Sequence, residues 1–409
     1  MKQKTIAICG GGAGGMMCAL ALAEGGQKNV TIIERGDRLG RKLSATGNGQ
    51  GNIANTCFGA EHYFSDNRSL TAKVLSALTC DGLISFLRRL GGLFEADAQG
   101  RVYPVSRQAS SVTDLLRFAL ERERVKVELG ACVTGIQRGK SAKGPSAYRL
   151  ACSDGRQFSA DNIVLATGGK AAENFGTDGT GYTLAQMMGH SVTPLYPSLV
   201  QLKTETAPIR GLKGIRVSCE AHAYVGGWEV AQKRGDVIFT DYGVSGNAIF
   251  FLSSFLTGKE ETSIVLDFLP DMPLDELTEF LREKQSISAR ESITGTLLNN
   301  RLGHVVARRV KNVPGDTDYP VALAEQIKAY KLRVEGTLDF MSAQVTRGGV
   351  PMAEINEDLM SRKTEGLYFC GEILNVDGEC GGYNLQWAFS SGMYVAKSIL
   401  RKCDEGTFV

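Results

Sequence analysis

The sequence lacks the residue patterns that mark dithiol and metal chemistry. Its ten cysteines include no C-x-x-C pair, which argues against a dithiol redox centre of the disulfide-reductase kind. The four histidines are far apart in the chain, and none stands in a Cys/His cluster with metal-ligand spacing. These absences predict that the protein holds no metal and that its cysteines are mostly small core residues.

An excess of one charge and a long apolar run are also missing. Lysine plus arginine number 46 against 44 acidic residues, so the net charge of +2 gives no electrostatic reason to expect nucleic acid or an anionic membrane as partner. The apolar helix predicted near residues 16–23 is too short to span a bilayer, and no basic region precedes an apolar one at the start. We expect a cytoplasmic protein with no membrane and no nucleic-acid partner, and its oligomeric state stays open.

The most informative feature that is present is a glycine-rich turn near the start. A strand-like run at residues 5–9 leads into Gly10, Gly12 and Gly15, spaced G-x-G-x-x-G around Ala13 and Gly14, and a helix rich in Ala, Leu and Met follows. In such a turn the first glycine permits the bend, the second lets the backbone approach a pyrophosphate, and the third lets the helix pack close to its strand. The pattern predicts a nucleotide site; a glycine turn in an ordinary α/β protein is the competing interpretation.

The residues after the second strand extend this prediction. That strand, at 29–33, ends at Glu34, whose carboxylate can accept hydrogen bonds from a ribose diol. The run 35–52 is too dense in Gly, Asn and basic side chains for a regular element, and its N–H groups can face a dinucleotide together with Arg41 and Lys42. A flexible surface loop with solvated charges is the alternative.

The middle of the chain predicts further elements. Residues 70–90 and 110–124 have helical patterns, and an apolar strand at 162–166 runs into Thr167, Gly168 and Gly169, which could approach the same ligand. From about residue 191 short β-type runs appear, and helices dominate from 273 to 310. No second G-x-G-x-x-G occurs there, so a dedicated nicotinamide-binding Rossmann domain is not expected.

The C-terminal part repeats the pattern of a strand that ends in glycine and an acid. Residues 366–370 lead into Gly371 and Glu372, and a glycine pair at 381–382 opens a helix that runs to about residue 402. Glu372 could hold a sugar-alcohol chain, while the N–H groups from Gly382 to Leu385 aim at a ring that gains negative charge when it is reduced. Close helix packing is the alternative reason for the glycine pair.

Four motifs together resemble one known family. The first turn and the runs at 40–55, 239–246 and 371–387 are similar to the BaiN/RdsA family of NAD(P)/FAD-dependent oxidoreductases, over nearly the whole length. The resemblance implies an α/β fold, with a Rossmann-like FAD-binding domain of the glutathione-reductase type, an inserted β-rich domain and a small helical subdomain. The implied boundaries are 1–190 and 344–409 for the FAD-binding domain, 191–269 for the β-rich domain and 270–343 for the helical one.

The resemblance also implies noncovalent FAD and the residues that contact it. The pyrophosphate would meet residues 12–15, the adenosine ribose Glu34, the adenine the backbone of Val133, the ribityl chain Glu372, and the flavin pyrimidine edge residues 382–385. The full predicted set is Gly10, Gly12, Ala13, Gly14, Gly15, Glu34, Arg35, Arg41, Lys42, Thr46, Gly47, Asn48, Gly49, Val133, Thr167, Gly168, Gly169, Gly371, Glu372, Gly382, Tyr383, Asn384 and Leu385.

The function implied is an NAD(P)H-driven reduction of a conjugated C=C bond. The substrate would be a hydrophobic enone of the 3-oxo-Δ4 or Δ4,6 bile-acid or steroid type, with NADH or NADPH as transient reductant. Tyr383 is a candidate proton donor beside the flavin turn, with a packing role as the alternative. Tyr242 is a second candidate in the inserted domain. A flavin amine oxidase and a non-catalytic flavin-binding sensor are the other hypotheses.

Overall fold

The computed structural model describes residues 3–139, 148–287, 293–310 and 318–405. It divides into two compact units, residues 1–196 with 345–409 and residues 197–344. The second unit therefore contains most of the range predicted as β-rich and helical domains, and its ends lie at 196/197 and 344/345 where the sequence placed 190/191 and 343/344. Parts of the predicted domains, including 140–147, 288–292 and 311–317, lie outside the described residues.

The elements up to residue 198 are β1 (Ile6–Cys9), α1 (Ala13–Glu24), β2 (Val30–Ile33), β3 (Ala54–Asn55), β4 (Tyr63–Ser65), α2 (Arg68–Ser76), α3 (Cys80–Arg89), β5 (Phe94–Ala96), β6 (Arg101–Pro104), α4 (Ala109–Arg122), β7 (Lys126–Glu128), β8 (Val133–Arg138), β9 (Tyr148–Cys152), β10 (Gln157–Ala160), β11 (Asn162–Leu165), α5 (Thr180–Met187) and β12 (Tyr196–Ser198). The next elements are β13 (Leu202–Thr204), β14 (Arg216–Val225), β15 (Trp228–Phe239), β16 (Gly243–Ser245), α6 (Asn247–Leu256), β17 (Thr262–Asp267), α7 (Leu274–Ile287), α8 (Asn300–Val310), α9 (Tyr319–Lys328) and β18 (Tyr330–Thr337). The chain ends with β19 (Val345–Arg347), β20 (Leu367–Phe369), β21 (Val376–Gly378) and α10 (Tyr383–Glu405).

The first unit is built on a parallel sheet of five strands in the order β20-β11-β1-β2-β7. Every residue of β1, β11 and β20 is buried, which explains why these strands are continuous apolar runs and do not alternate. Because all five strands are parallel, the turns after β1, β11 and β20 emerge at the same edge. The sheet order therefore brings the three glycine-containing turns of the sequence together.

The long C-terminal helix α10 packs against α1 inside this unit. A Cβ atom on Gly392 would lie 2.3 Å from the carbonyl oxygen of Gly14, and one on Gly14 would lie 3.1 Å from that of Ala388. Only small residues permit such an approach of two helix backbones. The last helix of the chain is thereby fixed beside the first glycine turn.

The second unit contains a closed barrel of six strands in the order β13-β16-β15-β14-β17-β18. Strand β18 closes it by pairing with both β17 and β13. Its alternation of buried and exposed residues is the signature of a strand with one face in a core. This strand comes from the range that the sequence placed in a helical subdomain, and the unit's apolar core joins barrel strands with α6–α9.

The helix predicted for residues 70–90 is two helices. Between α2 and α3, Thr79 Oγ1 accepts a hydrogen bond from Gly82 N, so a new helix begins at Cys80. Residues 68–89 are apolar enough by composition to pass for a membrane span, so the expectation that the chain has no long apolar run was wrong, and half of the apolar window is buried. The two pieces have 9 and 10 residues, and each is far shorter than the roughly 20 residues a spanning helix needs.

Candidate functional site

The first glycine turn has the geometry that its spacing predicts. A Cβ on Gly10, where φ is +107°, would lie 2.4 Å from Ala166 O, and one on Gly15 would lie 2.0 Å from Gly10 O. These two glycines are therefore required by the fold itself. Gly12 is different, because a Cβ there would meet no atom of the described residues within 4 Å. Since Gly12 is the N-cap of α1, the open space lies where free helix N–H groups favour an anion.

Glu34 is fixed beside this turn. Its Oε2 accepts a hydrogen bond of 2.7 Å from Gly11 N, and its Oε1 accepts one of 2.6 Å from Gly36 N. Because β2 is the parallel neighbour of β1, the carboxylate that ends β2 reaches the turn that ends β1. Each carboxylate oxygen keeps a further lone pair, so the group can still accept from a ribose hydroxyl.

Arg35 and Arg41, predicted to face the dinucleotide, contact residues 174–178. Arg35 Nη1 lies 2.6 Å from Asp178 Oδ1, and Arg41 Nη2 donates to Asn174 O at 3.2 Å. Burial by itself would raise the pKa of Asp178, but hydrogen bonds from Arg35 and Thr180 outweigh it and lower that pKa to about 2. The structure thus gives both arginines protein partners.

An ion pair between Lys42 and Glu372 joins the loop after β2 to the turn after β20. Lys42 Nζ lies 2.8 Å from Glu372 Oε2, and Thr346 N donates to Glu372 Oε1 at 2.8 Å. A Cβ on Gly169 would lie 2.8 Å from Glu372 Oε1, so the turn after β11 reaches the same carboxylate. The loop at Lys42, the turn at Gly169, the strand β19 at Thr346 and the turn at Glu372 therefore meet at the Glu372 carboxylate.

Two buried polar atoms in this region have no hydrogen-bond partner within the described residues. They are Thr167 Oγ1, in the turn after β11, and Asn52 Oδ1, in the glycine-rich loop. A Cβ on Gly382 would lie 2.7 Å from Asn52 Oδ1, so the second atom lies beside the C-terminal turn. Buried polar atoms without partners are uncommon in folded proteins and are expected where a ligand supplies the bond.

The C-terminal turn is tightly built. Gly382 has φ of +100°, and a Cβ there would lie 2.3 Å from Ala54 O. Asn384 closes the turn, because its Oδ1 accepts from Gly378 N at 2.9 Å and its Nδ2 donates to Gly378 O at 2.7 Å. Helix α10 begins at Tyr383, so its first N–H groups lie at this turn, and Leu385 is partly buried.

The turn after β20 is fixed by Gly371. Its φ is +78°, and its N–H donates to Ser391 Oγ at 2.8 Å.

Tyr383 is held on both sides. Its hydroxyl donates to Cys57 O at 3.0 Å, its ring stacks on His62 with centroids 4.6 Å apart, and burial raises its pKa. A phenol whose only proton is donated to a carbonyl is suited to packing, which is the alternative weighed for it, and its role as proton donor stays a prediction. Tyr242 lies in the second unit, next to β16.

The remaining predicted residues lie in the glycine-rich loop and on β8. Gly47, Asn48 and Gly49 are exposed and all have positive φ, while Thr46 Oγ1 donates to Leu43 O at 2.7 Å. Val133 is buried at the start of β8. No contact among the described residues distinguishes a cofactor role for these five residues from a structural one.

Thr346, Arg347 and Asp377 were not predicted from the sequence as site residues, and Asn52 was predicted only as the last residue of the glycine-rich run 35–52. Thr346 Oγ1 accepts from Lys170 N at 2.7 Å and from Ala171 N at 2.8 Å, so this residue joins the turn after β11 to Glu372. Arg347 forms an ion pair of 2.9 Å with Asp377, whose pKa is raised by burial. The adjacent glycines at 348 and 349 are the only signal in the sequence that pointed to this segment.

This site has the features of a dinucleotide-binding site. One unit contains an open helix N-terminus with a carboxylate beside it and the contacts to Glu372. It also contains two buried oxygens that have no hydrogen-bond partner among the described residues. The residues present therefore fit FAD: Gly12 and α1 would lie at the pyrophosphate, Glu34 at the ribose, and Glu372 with Lys42 further along the molecule. In the described residues, no group of three or more His, Cys, Asp or Glu side chains is arranged to hold a metal ion.

Comparison with known proteins identifies the family. The model of the HI0933-like protein Rossmann domain matches residues 4–398. The chain belongs to this family. The family is one of flavoprotein oxidoreductases, which confirms the predicted Rossmann-like α/β fold and supports FAD as the cofactor.

Three curated relatives and one solved structure show what the chain is similar to. It is 36% identical to a 3-dehydro-bile acid delta(4,6)-reductase of Clostridium scindens, over 96% of this chain and 98% of that protein. It is 28% identical to ribosomal RNA dihydrouridine synthases of Haemophilus influenzae (97% of this chain, 98% of that one) and Escherichia coli (98% and 99%). A flavocytochrome c3 fumarate reductase in an open conformation shares the fold with a TM-score of 0.51 and 16% identity, over 97% of this chain and 78% of that chain.

Proposed function

We propose that this protein uses NADH or NADPH to reduce a C=C bond conjugated with a carbonyl group in a hydrophobic small molecule, of the 3-oxo-Δ4 or Δ4,6 bile-acid or steroid type. The observation that carries the proposal is the 36% identity to the bile-acid reductase over nearly the full length of both proteins. The net charge of +2 is compatible with a substrate that is not a polyanion.

The chain's own residues supply binding and electrostatics. FAD, when bound, supplies a hydride equivalent to the substrate. Gly12 leaves room for the pyrophosphate, Glu34 is oriented by two backbone N–H groups, and Lys42 holds the carboxylate of Glu372 in place. The N-terminus of α10 presents free N–H groups and a positive dipole end at the turn 378–382, which favours negative charge on a reduced ring.

A second candidate is the reduction of uracil in RNA. The two relatives named ribosomal RNA dihydrouridine synthases favour it, at 28% identity over nearly the whole chain. The chemistry is shared, because the double bond of uracil is also conjugated with a carbonyl. The lower identity and the near-neutral charge make it the second proposal.

Anaerobic stopped-flow spectroscopy separates the candidates. Purified protein with bound FAD is mixed with NADH or NADPH, and the reduced protein is then offered a 3-oxo-Δ4 steroid, a 3-oxo-Δ4,6 bile acid or an unmodified ribosomal RNA transcript. We expect rapid bleaching by a nicotinamide and reoxidation by the enones. Reoxidation only by RNA would support the second candidate and contradict the first.

Two other outcomes would contradict both candidates. Bleaching only by a small amine, with peroxide formed when oxygen is admitted, would identify an amine oxidase. Bound FAD that no nicotinamide or amine reduces would identify a flavin-binding sensor without turnover.

A further inference from the structure

A cysteine, a histidine and a glutamate form a linked set in the first unit that the mechanism above does not use. Cys57 Sγ lies 3.7 Å from His62 Nε2, and His62 Nδ1 lies 3.1 Å from Glu379 Oε2. Cys57 is exposed, while the side chains of His62 and Glu379 are 20% and 18% exposed. The order of thiol, imidazole and carboxylate is that of a nucleophile or acid, its base, and the group that orients the base.

The fold fixes this arrangement. His62 immediately precedes β4 and Glu379 immediately follows β21, and the antiparallel pairing of these strands places Gly378 opposite Tyr63. Glu379 N also donates to His62 O at 3.0 Å, so the two side chains leave neighbouring points of the backbone. The register of a two-stranded sheet therefore sets the imidazole against the carboxylate.

The orientation of the His62 ring is also fixed by stacking on one face and by contacts at both nitrogens. The ring of Tyr383 stacks on it with an interplanar angle of 25°. With Nδ1–H donated to the Glu379 carboxylate, Nε2 is the acceptor that faces the Cys57 thiol. In this tautomer Nε2 of His62 can exchange a proton with the sulfur.

The thiol is tied to the turn that we assign to the flavin. Tyr383 OH donates to Cys57 O at 3.0 Å, and Cys57 N donates to Asn55 Oδ1 at 2.9 Å. The same Asn55 donates through Nδ2 to Gly381 O at 3.1 Å. Cys57 is thus joined by hydrogen bonds to residues 381–383, and it is the exposed member of the set, which a substrate can reach.

We propose that Cys57 is the proton donor for the reduction, with His62 as its proton-exchange partner and Glu379 as the positioning residue. This rests on the proposed function. After a hydride has reached the β-carbon, the electron pair of the resulting enolate takes the Cys57 proton at the α-carbon; the S–H bond breaks and a C–H bond forms. The thiolate regains its proton through His62: Nε2 takes up a proton from the solvent and passes it to the sulfur, which returns the imidazole to its neutral form. The two electrons come from the reduced flavin, and the substrate gains one hydride and one proton.

The first test measures the reactivity of the Cys57 thiol and does not require catalytic turnover. Purified holoprotein is treated with iodoacetamide near neutral pH, and the labelling rate of each cysteine is read by peptide mass spectrometry in wild type, His62→Gln and Glu379→Gln. An unassisted thiol is only about 3% ionised at pH 7, so base assistance is worth at most about thirtyfold. We expect His62→Gln to slow Cys57 labelling about tenfold and Glu379→Gln to slow it less. Labelling of Cys132, the internal reference, should not change. Equal Cys57 rates in all three proteins would overturn the proposal.

The second test measures substrate-driven reoxidation of the reduced protein. Cys57→Ala and Cys57→Ser should slow it about hundredfold with FAD content retained, since a general acid contributes about 10²–10⁴ in rate. The neighbouring exposed variant Thr56→Ala should reoxidise at the wild-type rate. Wild-type reoxidation in Cys57→Ala would overturn the proposal. If no substrate reoxidises the wild type, the proposed function fails, and the labelling comparison still decides whether His62 acts on the thiol.

Discussion

The three glycines of the first turn lack side chains for different physical reasons. The folded chain leaves no room for a Cβ at Gly10 or Gly15, whereas Gly12 has open space in front of it. Only the last case points to a ligand, because nothing in the protein explains why a side chain is missing there. This distinction can be tested by substitution.

Replacing Gly12 with Val should remove FAD and leave the fold intact. The side chain would enter the space assigned to the pyrophosphate, and Gly12 has a φ of −80° that any residue adopts. We expect the FAD dissociation constant to rise at least about hundredfold, or about 2.7 kcal/mol, measured by fluorescence titration of the apoprotein. Gly15→Ala is the matched variant, and it should lower the stability of the apoprotein itself by about 3 kcal/mol. Retention of FAD in Gly12→Val would refute this placement.

Glu372→Ala should weaken FAD binding more than it weakens the fold. The carboxylate accepts from Lys42 Nζ and Thr346 N, and both donors lose their partner in the variant. We expect the FAD dissociation constant to rise about tenfold, equivalent to about 1.4 kcal/mol. Lys42→Met should act in the same direction, because it removes the other half of the pair. An unchanged dissociation constant in Glu372→Ala would remove this residue from the site.

At the scale of elements, the contact between α1 and α10 joins the first and last helices of the chain. This contact requires glycine at position 392, because a Cβ atom added there would lie only 2.3 Å from the carbonyl oxygen of Gly14. Helix α1 is buried along most of its length, so its helical propensity contributes less than this packing does.

Gly392→Ala should destabilise the protein by about 3 kcal/mol, because the added methyl group forces the two helices apart. The measurement is denaturant unfolding followed by circular dichroism. Gly82→Ala in α3 is the matched control, since its nearest contact is 3.3 Å, and it should change stability by less than about 1 kcal/mol. Equal effects of the two substitutions would show that the helix contact is not close-packed.

At the scale of the whole molecule, stability should fall in acid because of carboxylates held ionised by the fold. Burial alone would raise the pKa of Glu354, but hydrogen bonds from Lys363, Ser191 and His190 lower it from 4.5 to about 2. A lowered folded-state pKa gives stability that is fully present above about pH 4.5 and is lost as the pH falls towards 2. The carboxylate is 18% exposed, and screening by solvent limits the effect to about 1–2 kcal/mol.

The check is the melting temperature between pH 6 and pH 2.5 in wild type and Glu354→Gln. The variant should be less stable at pH 6 and should lose less stability over this interval. Asp178, whose pKa is also about 2, leaves some acid dependence in both proteins. Parallel curves for the two proteins would contradict the assignment.

The division into two units predicts that FAD binding needs only the first. Every residue of the predicted cofactor set lies in 1–196 or 345–409, and the second unit has an apolar core of its own. The ends of the second unit are adjacent, because Gln344 N donates to Leu199 O at 3.2 Å. Replacing 197–344 by a short Gly/Ser linker should leave a folded protein that binds FAD within about tenfold of the intact affinity. An unfolded product or one without FAD would contradict this.

Local pattern was sufficient where one segment carries the whole signal. The glycine turn, the buried strand at 162–165 and the last helix follow from periodicity and turn residues, which act over a few positions. The single helix at 70–90 was wrong because a cap at Thr79, which depends on one side-chain hydrogen bond, divides it. The sequence of β18 alternates between buried and exposed positions, as a strand with one face in a core does. It was nevertheless placed in a helical subdomain, because the neighbouring segments have helical patterns.

By itself, the sequence determined the glycine turn after β1, the acid at the end of β2 and the family, because these depend on residue patterns and not on how distant segments pack. Only the tertiary structure decided which distant groups meet: Lys42 with Glu372, Thr346 with the turn after β11, and Cys57 with His62 and Glu379. The reason is that strand order and register, set by packing of the whole chain, place residues from 175 to 330 positions apart within hydrogen-bond distance. No local pattern contains that information.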